Sequence, residues 1–114
     1  MENYSAILDV TFQALSDPTR RTVMSRLMRG PAPVKELARP FEMGLPSFLK
    51  HLKILEESGL ISSRKEGRVR TCYARADRLA AIERWFDEQR AIWDSRYKNL
   101  DNLLMDLSGE KDEI

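Results

Sequence analysis

At 114 residues the chain is the size of one small domain, with a core modest enough that a dimer is a natural way to bury more surface. Its longest apolar run falls far short of the ~18 residues a membrane-spanning helix needs, which excludes a helical membrane protein. The single cysteine excludes an internal disulfide, and the opening MENYSAILDV has neither the basic lead nor the apolar stretch of a secretory signal, so a reducing cytoplasm is expected.

The net charge of +1 hides a polarity along the chain. Residues 45–76 carry seven Lys/Arg against three Asp/Glu. Residues 77–114 carry six against ten, and the first 44 carry six against five. A basic excess confined to one region is the footprint of a polyanion binder. A solvated surface would show the same excess, and charge alone does not separate the two.

Tyr4 to Leu15 reads as a first helix, with Leu8, Phe12 and Leu15 on one face. Ser16-Asp17-Pro18 ends it and starts a second, Asp17 serving as N-cap and Pro18 as N1. That helix turns Val23, Met24, Leu27 and Met28 inward and stops at Gly30. Pro31-Ala32-Pro33 reads as a rigid connector, and a short third helix covers about 34–39.

The stretch LPSFLKHLKILEESGLI, residues 45–61, predicts a fourth helix over about 45–57. Pro46 suits its first turn, where a missing N–H costs nothing. Phe48, Leu52 and Leu55 recur on one face, while Ser47, Lys50, Lys53 and Ile54 fall mostly on the other. Ser58-Gly59 stops the helix, glycine tolerating the left-handed position after it. Residues 61–74 then read as a β-hairpin that turns at Glu66-Gly67, with Arg64, Arg68 and Arg70 clustered round the turn and Arg68 and Arg70 on one face. Three helices, a basic-faced helix and a basic hairpin are the parts of a winged helix-turn-helix, a mainly α fold with a small β-hairpin.

A long last helix is predicted over about 77–107. Leu79, Phe86, Trp93, Leu100 and Leu107 recur every seven residues, with Ile82, Tyr97, Leu103 and Leu104 beside them, as in a coiled-coil seam. At ~1.5 Å per residue the helix spans on the order of 40 Å, more than so small a domain covers, so part of it is expected to meet another chain. The alternative is that it packs wholly on its own domain. The tail SGEKDEI is expected to fray.

Three segments together, FQALSDPTRRTVMSRLMRG, VKELARPFEMGLPSFLKHLKILEESGLI and KEGRVRTCYA, resemble the ArsR/SmtB family of bacterial winged-helix repressors. The resemblance runs over about residues 8–107, and ERWFDEQRAIWDSRYKNLDNLL further resembles a branch with a Trp-bearing last helix and no metal site. It implies a homodimer joined through the first and last helices, which points to Leu8, Phe12, Phe86, Trp93, Tyr97, Leu100 and Leu104. It also implies that the 45–57 helix enters the major groove of an operator. Ser47, Lys50 and His51 then fall where the family reads DNA and Arg68 and Arg70 where its wing does, with Lys53 and Arg64 adding to the basic surface. The chain departs from the family at Gly44, Phe48 and Leu49, where serine, valine and a small polar residue are usual. Gly44 as N-cap costs only a few tenths of a kcal/mol. Leu49 either lies buried or touches a thymine methyl.

Metal sensing in that family takes paired thiolates on the third helix or Asp/His/Glu sets on the last. Here Cys72 and His51 are the lone cysteine and histidine and lie on different elements, so no metal or other cofactor is expected. His51 has a structural alternative, packed on the core or capping the wing, and Cys72 reads as an inert, partly buried thiol. No nucleophile–base pair or glycine-rich phosphate loop occurs, so no catalytic residues are expected. The reading is a dimeric, DNA-binding transcriptional repressor, its effector ligand unidentified. The alternative is a winged-helix protein-interaction module, which would favour a neutral or acidic face over the basic one present.

Overall fold

A computed structural model describes residues 3–112, with side chains to Ser108. Five helices and three strands follow in the order α1 (Tyr4–Ala14), α2 (Pro18–Leu27), β1 (Ala32–Pro33), α3 (Val34–Ala38), α4 (Leu45–Glu57), β2 (Ile61–Glu66), β3 (Val69–Ala74) and α5 (Ala76–Asp112). This is a mainly helical winged helix-turn-helix with a long last helix. Contacts divide it into two compact units, one reaching to Ile82 and one beginning at Glu83, so the boundary falls inside α5.

In the first unit, local chemistry sets each helix end. Asn3 accepts from the Ala6 N–H at 2.7 Å to cap α1, and Asp17 accepts from the Arg20 N–H at 3.1 Å to cap α2, which opens on Pro18. Helix α4 ends in a Schellman motif: Leu60 N–H bonds the Leu55 carbonyl at 3.1 Å and Gly59 N–H bonds that of Glu56 at 3.0 Å. Leu55 and Leu60, the residues between which the motif makes its apolar contact, are both fully buried in the core. Gly59 takes the left-handed φ of 82° that the motif needs.

The core joins Ala14 of α1, Val23, Met24 and Leu27 of α2, Ala32, Leu37 of α3, Phe48, Leu52 and Leu55 of α4, Leu60, Ile61 and Cys72. The apolar face expected of the fourth helix is thus the buried one. One other inward assignment, that of Met28, needs correction. Helix α1 buries Leu8, Thr11 and Ala14 and leaves Phe12 exposed, the Thr11 hydroxyl being satisfied by the Ile7 carbonyl at 2.6 Å. Met28 caps the end of α2, one residue beyond the buried stripe, and is exposed.

Pro31-Ala32-Pro33 is more than a connector. Ala32 pairs with Cys72 and Pro33 with Thr71, making a three-stranded antiparallel sheet of order β1-β3-β2. The hairpin turns at Gly67-Arg68, one residue later than expected, with Glu66 opposite Val69. Gly67 has φ 63° while Arg68 has none above zero, the pattern of a type II′ turn with glycine first.

In the second unit α5 continues to Asp112, into the tail SGEKDEI; Glu113 and Ile114 lie outside the described residues. Its side chains leave an apolar stripe open in the single chain: Phe86, Trp93, Tyr97, Leu100, Leu103, Leu104 and Leu107 are each at least 51% exposed.

Candidate nucleic-acid interface

Every residue expected to meet DNA lies in the first unit. Helix α4 starts at Gly44 without a side-chain cap and carries Pro46 in its first turn. With Phe48, Leu52 and Leu55 on the core, the opposite face is open: Ser47, Lys50 and Lys53 are exposed, and so are Leu45, Leu49 and Ile54. Leu49, at 38% exposure, is on the open face rather than in the core. The side chains of Ser47 and Lys50 make no hydrogen bond or ion pair among the described residues. Lys53 lies 3.9 Å from Glu57 one turn on, an exposed pair worth little.

His51 is held differently. Its Nδ1 lies 3.0 Å from Nη1 of Arg20 and 3.7 Å from Oδ2 of Asp17, both at the start of α2, and its side chain is 22% exposed. Its polar contacts tie α4 to the α1–α2 junction rather than to the wing. Desolvation works against the Asp17 charge, but the Arg20 backbone N–H, the attraction of charged His51 and the Arg20 guanidinium hold its carboxyl below the ordinary range.

Register divides the wing's basic residues. Paired residues across antiparallel strands share a face, so Lys65 and Arg70 lie with Ser63 and Cys72, on the side that Cys72 buries in the core. Arg64 lies on the other face, its guanidinium 5.8 Å from the Tyr73 ring centre. Arg68 is in the turn, exposed, its side chain without a polar partner among the described residues. The expectation that Arg68 and Arg70 share a strand face therefore does not hold, because alternation stops where the turn begins.

Arg70 is also not a free cation. Nη2 donates to both carboxylate oxygens of Glu56, at 2.9 and 3.1 Å, and Nε donates to the Ser63 hydroxyl at 3.0 Å. The pair joins the wing to the last turn of α4. Beneath it, burial pushes the Cys72 thiol up, the Glu56 charge adds to the rise and Arg70 opposes it, so the thiolate is disfavoured. Cys72 is wholly rather than partly buried.

Two participants escaped the sequence reading. Arg20 is 9% exposed and precedes Val23, Met24 and Leu27 by three, four and seven residues, so its place at the head of an apolar stripe was the available signal. Glu56 has no such signal, since only the fold brings it to Arg70. On α1, Leu8, one of that expected pair, is buried in its own chain, while Phe12 is 37% exposed. Among the described residues no three His, Cys, Asp or Glu converge as a metal site, and no helix is long and apolar enough to cross a membrane.

Known proteins share this arrangement. A helix-turn-helix domain family matches residues 15–64. The HTH-type transcriptional regulator Rv2034 of Mycobacterium tuberculosis is 39% identical over 65% of this chain and 69% of its own length. The transcriptional repressor SdpR of Bacillus subtilis is 38% identical over 49% of this chain and 62% of its own. A crystal structure of an ArsR family transcriptional regulator superimposes with a TM-score of 0.78 at 54% identity, covering 83% of this chain and 98% of the other. An ArsR-like transcriptional regulator from Rhodococcus gives 0.73 at 30% identity over 87% and 93%. With its winged helix-turn-helix and its open basic helix, the chain belongs to the ArsR/SmtB family of DNA-binding transcriptional regulators.

Proposed function

We propose that the chain is a homodimeric repressor that acts by occupying an operator. The observation that carries this is the open face of α4, where Ser47 and Lys50 stand without partners in a unit that also presents the unpaired Arg68 at the tip of its wing. Phosphate contacts position a protein on DNA and base contacts specify sequence. On this reading α4 lies in the major groove, with Ser47, Lys50 and His51 facing base edges and Leu49 placed for a thymine methyl. Lys53, Arg64 and Arg68 then grip phosphates, and Arg70 holds the wing against α4 and reaches DNA only by releasing Glu56.

The dimer follows from α5. Phe86, Trp93, Tyr97, Leu100 and Leu104 are too apolar to leave in water, and burying one large apolar side chain is worth about 1.5–3 kcal/mol. A second copy covers the stripe symmetrically. Two copies present two recognition helices to two half-sites. Repression is steric, and an effector acts by favouring a dimer shape with weaker DNA affinity. The name of the similar SdpR supports repression. The reading places the protein in the cytoplasm, with DNA. A gel shift with DNA from upstream of its own gene tests it: retarded mobility that unrelated duplex does not compete away is expected, and equal competition by any duplex would contradict sequence-specific binding.

A further inference from the structure

Arg20 is a charged side chain at the head of the buried stripe of α2, and each of its three nitrogens has a partner. Nε donates to the Ala14 carbonyl at 2.7 Å and Nη2 to the Gln13 carbonyl at 3.3 Å, while Nη1 meets His51 Nδ1 at 3.0 Å. A guanidinium has donors only and does not lose its proton in a protein. The 3.0 Å contact is therefore a hydrogen bond only when Nδ1 accepts, which puts the proton of the neutral ring on Nε2. Asp17 competes for the same nitrogen, and its Oδ2 would need Nδ1–H as the donor. Distance decides between them, since 3.0 Å is within hydrogen-bond range and 3.7 Å is not. The two ring nitrogens point in nearly opposite directions. With Nδ1 turned toward the start of α2, Nε2–H is aimed away from it. His51 stands one helical turn after Ser47 and next to Lys50, with part of its ring exposed.

We infer that Arg20 is a positioning residue for DNA recognition: by donating Nη1–H to His51 Nδ1 it holds the ring as the Nε2–H tautomer, so that α4 presents a hydrogen-bond donor to an acceptor on DNA. The inference rests on the reading of α4 as the DNA-contacting helix. The acceptor is a phosphate oxygen or a base-edge nitrogen or oxygen, and the two differ in whether sequence matters. The same bonds fix the helix. Arg20 joins the end of α1 to α4 through two carbonyls and one imidazole, so the donor is aimed by the turn that precedes α2 as well as by α4 itself.

His51 is the only histidine, so a two-bond 1H–15N spectrum of the labelled full chain, taken where the ring is neutral, reads its tautomer directly. A proton on Nε2 is expected in the wild type and a mixture of tautomers in Arg20→Met. A proton on Nδ1 of the wild type would overturn the inference. Binding is then measured on a duplex enriched by the wild-type chain from a random pool and on its scrambled counterpart, with folding checked by thermal unfolding. His51→Asn keeps an acceptor near Nδ1 and loses the Nε2 donor, whereas His51→Gln brings an amide N–H near Nε2. Loss of one hydrogen bond corresponds to about tenfold in affinity. His51→Asn is expected to lose about that on the enriched duplex and His51→Gln to stay within about threefold. Equal loss on scrambled duplex assigns the acceptor to phosphate, and loss confined to the enriched duplex assigns it to a base. Arg20→Met should lose affinity as His51→Asn does, with no further loss in the double variant; should Arg20→Met fail to fold, the two His51 variants and the wild-type spectrum decide. Wild-type affinity in His51→Asn, or equal losses in both His51 variants, would overturn the inference alone. Enrichment of no duplex by the wild type would overturn the DNA-binding reading and this inference with it.

Discussion

Asp17 shows how much one side chain does at the α1–α2 junction, capping α2 and standing beside Arg20 and His51. Replacing it by alanine is expected to cost about 1 kcal/mol of stability, and replacing it by asparagine, itself a good N-cap, much less. Its folded-state pKa is lowered from the ordinary 3.8, so the unfolded chain binds the proton more readily. The stabilisation is therefore complete above that value and is lost as pH falls through the lower folded value. Denaturant unfolding of the wild type and Asp17→Asn at neutral and acid pH checks this: the wild type should lose more stability on acidification than Asp17→Asn. Parallel curves would show that the carboxylate charge plays no part. Asp17 and Pro18 were legible in the sequence because a cap acts over three residues. The Arg20–His51 bond was not, since 31 residues separate its partners and nothing local marks either as the other's.

At the scale of elements, the end of α4 and the wing it supports are the sensitive parts. Gly59→Ala is expected to destabilise by about 1–2 kcal/mol from the left-handed backbone alone. A Cβ there would also lie 2.6 Å from Nε of Arg78, which must move aside. A thermal midpoint unchanged from wild type would count against the Schellman assignment. On the wing, Arg68→Ala should lower the salt slope of DNA binding by about one and weaken all duplexes alike. Arg70→Ala should weaken binding through Glu56, left as an unpaired carboxylate at the end of α4. The double variant with Glu56→Ala should then recover part of the loss. Affinity against salt for the four chains separates the roles, and a double variant no better than Arg70→Ala would remove the coupling. Helix α2 was legible because it has a period, a cap and a stop, and α4 because it has a period and a stop. Strand β1 was not, because two residues carry no period and two prolines look like a spacer. Met28 is misleading because apolar character alone does not mean burial, while Thr11 is buried with its hydroxyl satisfied.

For the whole molecule, the seven-residue stripe of α5 was the clearest long-range signal in the sequence; Leu79 packs against the core, and from Phe86 on its side chains are exposed in the single chain. The first unit carries the open basic face of α4 and the wing, and the second carries the exposed stripe; on the proposed reading the first meets DNA and the second a partner chain. Trp93→Asp puts a charge in the middle of the stripe and is expected to weaken self-association and DNA affinity together, while the stability of the winged part stays near that of the wild type. Sedimentation velocity of the wild-type chain at micromolar concentration, alone and with the duplex it enriches, tests the central claim most directly. The expected result is a dimer in the absence of DNA and two chains bound per duplex, with the complex dissociating as salt is raised. A chain that sediments as a monomer under both conditions and leaves the duplex unshifted would contradict the account.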